Sequence, residues 1–153
     1  MTESPARDDA PVSAVAEAEI AAPVETTWDV LTDIERWPAW NPDVKSVDLE
    51  GEVTTGSVFR WKAGPGTITS TVERLERPNL IAWTGTTLGG LRAHHVWHLE
   101  ERNGKTHVRT TESFLGLLAR ILRRPLRKML ERSLGDGVRH LKAEVERRAG
   151  AGR

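Results

Sequence analysis

The sequence predicts an α+β domain in which a curved antiparallel β-sheet of about seven strands wraps around a long C-terminal helix. Three observations lead to this prediction. Residues 44–114 alternate between apolar and polar side chains, with short turns rich in Gly, Pro and Asn between the alternating runs. From Leu118 to Val145, apolar residues recur at steps of three or four, as on one face of an amphipathic helix. Two short helical segments follow a first strand near the N-terminus.

The N-terminal part is predicted to contain a disordered tail at residues 1–12, a strand at 13–21 and two short helices. Pro23 stands where a helix favours proline, because its missing N–H would be unpaired there. Asp33 is suited to capping the second short helical turn, and Pro38 is expected to break its regularity.

The central part is predicted to form a meander, because turns this short connect antiparallel neighbours rather than parallel strands. The predicted strands cover residues 44–50, 57–63, 67–75, 80–86, 91–101 and 106–114.

The C-terminal part is predicted to contain a short helix to about Arg123 and a main helix that starts at Pro125 or Leu126. Proline separates the two because it interrupts helical hydrogen bonding. The main helix is long enough to cross a domain. One domain is therefore expected over residues 13–148, with a frayed, disordered end at 149–153.

Asn103-Gly104 is the strongest local signal, because Asn-Gly between alternating strands favours a two-residue type I′ turn. With this turn, His95 lies opposite Glu112 on a face that is otherwise mostly apolar. The residues predicted to share that face are Ala93, Trp97, Leu99, Val108, Thr110 and Phe114. The residues predicted for the opposite, solvated face are Arg92, His94, His98, Glu100 and Arg109.

His95 and Glu112 are candidate functional residues because ionisable groups on an apolar face require partners. They can orient a ligand carbonyl or hydroxyl group, or act as a catalytic acid and base. A satisfied buried pair without function is the alternative. Burial lowers the pKa of a histidine and a neighbouring glutamate raises it, so the sequence leaves the direction of the His95 pKa shift open.

An apolar pocket is predicted between the sheet and the main helix. Six tryptophans and no tyrosine are present, and aromatic walls suit flat ligands, although the same rings can simply fill a core. Gly137 on the apolar helix face leaves room for a ligand or for close packing. The predicted ligand-binding residues are Trp40, Phe59, Trp61, Trp83, His95, Trp97, Thr110, Glu112, Phe114, Leu134, Gly137, Val138 and Leu141.

Several other classes of site are not predicted. The chain has no cysteine, which excludes disulfides and thiolate chemistry. His94 and His98 share a strand face with Glu100 as the one candidate for a third ligand, so a metal site is not expected. No other cofactor is predicted. Phosphate-binding glycine loops and a serine nucleophile motif are missing. Because no apolar run approaches the length of a membrane span and the start is polar, a cytoplasmic location without stable membrane insertion is expected.

The charge distribution is uneven although the net charge is zero. Residues 1–52 carry 13 acidic and 3 basic residues. A basic stripe follows in the C-terminal part, opposed there only by Glu131. It is either a solvated helix face or a contact surface for an anionic membrane, an acidic partner or nucleic acid. The stripe consists of Arg120, Arg123, Arg124, Arg127, Lys128 and Arg132.

Several stretches resemble the START/Bet v 1-like (SRPBCC) superfamily, and more narrowly its polyketide cyclase/dehydrase and lipid-transport proteins. The resemblance implies a helix-grip fold whose pocket lies between the concave sheet and the long helix. Members bind lipids, hormones or polyketides, and some catalyse cyclisation or dehydration; the family has no universal catalytic residue to transfer. The similar stretches are A-P-V-E-T-T-W-D-V-L-T-D at 22–33, W-P-A-W-N-P at 37–42, F-R-W at 59–61, L-I-A-W-T-G at 80–85 and H-V-W at 95–97.

Three functional hypotheses follow. The first is binding, transport or sequestration of a hydrophobic small molecule such as a lipid or polyketide. The second is a polyketide cyclase or dehydratase that uses His95 and Glu112 as acid and base. The third is an interaction module that uses the basic stripe. No nucleic-acid partner is predicted, and a weak homodimer is left open.

Overall fold

The computed structural model describes residues 10–64, 66–87 and 89–151. They form the predicted α+β architecture, a seven-stranded antiparallel sheet with a long C-terminal helix. The predicted disordered residues 1–9 and 152–153 lie outside the described residues. The last helix continues to Ala151, beyond the predicted domain end, and the side chain of Ala149 packs against the core.

The strand order is β1-β7-β6-β5-β4-β3-β2, so strands β2 to β7 form a continuous meander and β1 joins its far edge beside β7. The strands are β1 (Val12–Ile20), β2 (Val44–Leu49), β3 (Val58–Ala63), β4 (Gly66–Glu76), β5 (Leu80–Thr87), β6 (Arg92–Arg102) and β7 (Lys105–Leu115). The helices are α1 (Val24–Thr32), α2 (Trp37–Trp40), α3 (Leu117–Ile121) and α4 (Arg123–Ala151), with a 3-10 turn at Ile34–Arg36.

The short helices follow the predicted order with two differences. Pro23 is the residue before the first turn of α1, as expected for a helix that proline initiates. Pro38 does not break regularity, because it lies in the first turn of α2, where a missing N–H is tolerated. Asp33 makes no side-chain capping hydrogen bond; its carboxylate instead pairs with Arg36 at 3.5 Å.

The predicted register of the β6–β7 hairpin is confirmed. Asn103 and Gly104 have φ angles of 54° and 78°, as a type I′ turn requires. Arg102 pairs with Lys105, and His95 lies opposite Glu112. The turn therefore determines which side chains of both strands enter the interior.

The opposite face of the hairpin is less solvated than predicted. Arg92, Glu100 and Arg109 are exposed, but His94 is partly buried and its Nε2 lies 3.0 Å from a carboxylate oxygen of Glu73. The reason for the difference is a small apolar cluster on this outer face. It consists of Leu80, Ala82 and Val96, with exposed fractions of at most 5%.

Helix α4 packs its apolar side against the sheet. Pro125 lies in its first turn, so the prediction that proline marks the start of the main helix holds to within two residues. The buried residues of α4 are Leu130, Leu134, Val138, Leu141 and Val145. No helix within the described ranges is long and apolar enough to cross a membrane.

We predict that Gly104→Ala lowers the free energy of unfolding by about 1 kcal/mol, because an L-residue is strained at positive φ. A Cβ at Gly104 would meet no atom within 4 Å, so the effect comes from the backbone alone. Urea denaturation measures it. Gly135→Ala is the matched control: it is helical and equally uncrowded, so the free energy of unfolding should rise by about 1 kcal/mol. Equal effects of the two substitutions would contradict the assigned turn.

Candidate functional site

The site lies where two apolar clusters meet inside the domain. The larger cluster contains Trp97 and the C-terminal buried residues of α4, including Val138. The smaller cluster contains Phe114 and Leu134. His95 on β6 lies opposite Glu112 on β7. On the same face of these two strands, this pair lies between the pairs Ala93–Phe114 and Trp97–Thr110.

The His95 side chain is held in one orientation by a short hydrogen-bond chain. The Thr110 hydroxyl donates to the carbonyl oxygen of Val96 at 3.2 Å, and its Oγ1 lies 2.7 Å from His95 Nε2. Because the only hydroxyl proton is used by the carbonyl, the Thr110 oxygen must accept a hydrogen bond from Nε2–H of His95. His95 Nδ1 therefore carries the lone pair of the neutral ring.

Glu112 faces this lone pair. Its Oε2 lies 3.7 Å from His95 Nδ1, longer than a direct hydrogen bond, and the two side chains are only 17% and 9% exposed. Both groups consequently retain hydrogen-bonding capacity toward the interior.

Burial keeps both groups uncharged near neutral pH. Desolvation, with a smaller contribution from the nearby His94, lowers the pKa of His95 to about 3. Desolvation raises the pKa of Glu112 to about 8. The pair thus combines a neutral imidazole acceptor with a protonated carboxyl donor, an arrangement suited to acid–base chemistry or to orienting a polar ligand group.

Aromatic rings surround the pair on the concave side of the sheet. The ring centroid of His95 lies 4.8 Å from that of Trp83 and 5.4 Å from that of Trp97. Phe59 and Trp61 continue this wall along β3. Successive rings are in contact, so side chains occupy this part of the interior.

Trp37 completes the wall from above and was not among the predicted site residues. Its ring lies 5.4 Å from Trp83 and 5.5 Å from Trp61, and its Nε1 donates to the Leu31 carbonyl at 2.9 Å. The sequence pattern located Trp37 with Trp28 and Trp40 around the short helices. It did not predict the contact with the aromatic wall, because the direction of the Trp37 side chain depends on how α2 packs on the sheet.

Ser70 was also missed. It is fully buried on β4 and accepts a hydrogen bond from Trp61 Nε1 at 3.0 Å. The register between β3 and β4 places Ser70 opposite Phe59. The same pairing argument that located Glu112 could have found it, had it been applied to the turn at Gly64–Gly66.

Two buried indole groups lack partners. Trp97 Nε1 and Trp40 Nε1 have no hydrogen-bond partner among the described residues. An unpaired buried donor is uncommon and unfavourable, so each needs an explanation. The unpaired donor of Trp97 belongs to the ring next to His95.

Helix α4 packs on β1 and β7 and carries a glycine, Gly137, beside its buried residues. Leu134 belongs to the smaller cluster, and Val138 and Leu141 to the larger one. Gly137 lies between these residues, and a Cβ there would meet no atom within 4 Å. Gly137 therefore leaves open space on the surface of α4, next to the buried residues of both clusters.

Two depressions of the described surface lie elsewhere. One, of about 670 Å³, is bordered by Pro23, Asn103 and Arg148. Another, of about 250 Å³, is bordered by Ile34 and Val53. None of the predicted ligand-binding residues lines either depression. The predicted pocket therefore stays a prediction. Across the described ranges, no three His, Cys, Asp or Glu side chains are grouped as a metal site would require.

The fold agrees with the comparisons to known families. The family described as polyketide cyclase/dehydrase and lipid transport matches residues 11–146. The chain belongs to this family. Its fold is also the one that the resemblance to the START/Bet v 1-like (SRPBCC) superfamily implies. No curated protein sequence matches.

Solved structures share the helix-grip fold at low sequence identity. A hypothetical protein from Helicobacter pylori superposes with a TM-score of 0.82 at 15% identity, over 92% of this chain and 91% of its own. The ZhuI aromatase/cyclase from Streptomyces sp. R1128 gives 0.76 at 21% identity, over 90% and 94%. A START superfamily protein from Mycobacterium smegmatis gives 0.74 at 18%, over 88% and 97%.

We predict that stability is highest between about pH 4.5 and 6.5 and falls toward pH 8. Between pH 4.5 and about 8, folded Glu112 holds a proton that the unfolded chain has released, so its contribution decreases with rising pH. Between about pH 3 and 6.5, His95 has the opposite effect, because the unfolded chain binds the extra proton. Each slope is at most about 1.4 kcal/mol per pH unit, so the two offset each other where they overlap.

Glu112→Gln should remove the decrease between pH 6.5 and 8, because glutamine does not titrate. Urea denaturation at pH 5, 6.5 and 8 measures this. Glu101→Gln, an exposed carboxylate on the same hairpin, should leave the decrease in place. A decrease that persists in Glu112→Gln would show that Glu112 is already ionised at pH 6.5.

Proposed function

We propose that this protein binds an apolar small molecule that carries a carbonyl group, in the interior between the sheet and α4. The unpaired polar groups beside the aromatic wall carry this proposal. Trp97 Nε1 has no partner, and protonated Glu112 has a hydrogen to donate. A carbonyl oxygen has two lone pairs and can accept a hydrogen bond from each of these donors.

The aromatic wall and the open space beside Gly137 support a flat ligand. Rings of Trp83, Trp61 and Phe59 offer large apolar faces that favour stacking. A ligand at this level lies against Leu134 and Val138, which belong to different clusters and are neighbours on α4. The family membership is consistent with this ligand class.

The first test uses Prodan, a fluorescent naphthalene ketone, and the same naphthalene without the ketone. Glu112→Leu should weaken Prodan binding about three- to tenfold, because one buried hydrogen bond is lost. Glu112→Gln, which keeps a donor, should restore most of the affinity. The ketone-free compound should bind all three proteins alike. Equal affinity for both compounds in the unmodified protein would refute carbonyl recognition.

The location of the ligand is tested separately. Gly137→Leu should abolish binding of both compounds, because the new side chain fills the space over the site. Gly135→Leu is the matched control, since it lies roughly 200° around the helix from Gly137 and should bind normally. Unchanged binding in Gly137→Leu would place the ligand elsewhere.

A second candidate function is acid–base catalysis on a polyketone. The fixed tautomer favours it: Nδ1 of His95 can take a proton from carbon while its Nε2–H remains bound to Thr110. A weakly basic imidazole suits an acidified C–H, such as one between two carbonyl groups. The resulting carbanion attacks a second carbonyl, and Glu112 protonates the oxygen that gains the charge.

This candidate predicts that His95→Gln lowers cyclisation of a linear poly-β-ketone thioester by about 10²–10⁴-fold while Prodan binding changes little. Thr110→Val should have a smaller effect, because it removes only the group that fixes the tautomer. Product formation is measured by liquid chromatography with mass detection. Unmodified protein that binds Prodan but forms no product above the uncatalysed rate would leave binding as the function.

A further inference from the structure

An exposed apolar surface with a basic border covers α3 and the start of α4. Its large apolar side chains, Leu117, Ile121, Leu122 and Met129, are 73%, 68%, 40% and 49% exposed. Large aliphatic side chains this accessible and this close together are unusual on a globular protein and commonly mark a contact site. We call these four residues, with the six bases of the basic stripe, the α3–α4 surface.

The packing of α3 explains why these side chains face outward. Helix α3 docks on the smaller cluster through Ala119, which is fully buried. Leu117 and Ile121 lie one turn apart on the other side of the same helix. A helix that buries its alanine fully while Leu117 and Ile121 remain exposed is arranged for a second partner.

The bases of this surface are also unpaired. Across the described part of the chain, no ion pair involves any of the six bases from Arg120 to Arg132. The second half of α4 differs, because Arg139 pairs with Asp136 and Lys142 with Glu146. Glu144 likewise pairs with two arginines. Intramolecular partners therefore neutralise one half of the helix and not the other.

We propose that the α3–α4 surface docks peripherally on a bilayer that contains anionic lipids. Leu117 and Ile121 enter the headgroup region, and the surrounding arginines and Lys128 contact lipid phosphates. Apolar area and positive charge together are what an interfacial helix requires. Each base near such a membrane strengthens binding roughly fivefold, so three contribute about a hundredfold.

The same observations disfavour two other partners. A second copy using this face would bring six cations against six cations, because a twofold interface places the same patch on both sides. Nucleic acid would account for the cations but not for the exposed leucine and isoleucine side chains, since phosphate contacts need only charge and hydrogen bonds.

The test is cosedimentation of the full chain with vesicles of phosphatidylcholine alone or with 30% phosphatidylglycerol, at low and high salt. We expect binding only to the anionic vesicles, and weaker binding at high salt. Arg123→Glu/Arg124→Glu/Arg127→Glu should reduce it by about a hundredfold or more. Acidic residues are tolerated at a helix N-terminus, so the fold should be retained, which circular dichroism checks.

The apolar contribution is tested with Leu117→Asn/Ile121→Asn, which should reduce binding by about tenfold without a change in charge. The matched control for charge is Lys45→Glu/Arg60→Glu/Lys62→Glu, three exposed bases on β2 and β3. It makes the same change in net charge and should bind at least ten times more tightly than the α3–α4 charge variant.

Four results would overturn the proposal. The first is no binding to anionic vesicles at low salt. The second is an equal loss in both charge variants, which indicates non-specific attraction. The third is unchanged binding of the asparagine variant, which indicates adsorption without apolar contact. The fourth is an alternative partner whose binding the α3–α4 charge variant abolishes: either a second copy, seen as a dimer in light scattering, or duplex DNA, bound more tightly than the vesicles.

Discussion

The register of the β6–β7 hairpin is the constraint on which the rest of the interior depends. A two-residue turn at Asn103-Gly104 sets every cross-strand pair between β6 and β7. A shift by one residue would move His95 and Trp97 to the outer face, because side chains alternate along a strand. Strand β1 then pairs along β7, and α4 packs against β1, so the position of the helix also follows from this turn.

His95 and Glu112 lie between the two apolar clusters of the core. They remain buried because neither group is charged. An isolated ion inside a protein is strongly destabilising, whereas neutral histidine and protonated glutamate need only hydrogen bonds. His95 obtains one through Thr110, and Glu112 has none of normal length. Glu112, opposite His95, and Trp97, next to it on the same face of β6, therefore both keep unused hydrogen-bonding capacity.

The features that depend on local sequence could be predicted, and those that depend on packing could not. Alternation and turn residues located the strands, and Asn103-Gly104 placed His95 opposite Glu112. Trp37 was missed because its ring reaches the sheet only through the packing of α2.

The direction of the His95 pKa shift required the actual burial, since desolvation and the neighbouring carboxyl act in opposite senses. The buried Val96 on the outer face arises from Leu80 and Ala82 on the next strand, which no single-strand pattern reveals. The exposure of Leu117 and Ile121 likewise follows from Ala119 being the residue that docks.

The tryptophan cluster has an optical consequence. The chain has six tryptophans and no tyrosine, so its near-ultraviolet absorption and its emission come almost entirely from indole. The rings of Trp37, Trp61 and Trp83 lie 5.4–5.5 Å apart around Trp37, close enough for their excited states to couple. Such coupling gives a paired positive and negative circular dichroism band whose shape depends on the angles between the rings. Any molecule that separates these rings changes the band. The circular dichroism of the tryptophans therefore reports whether a ligand occupies the interior.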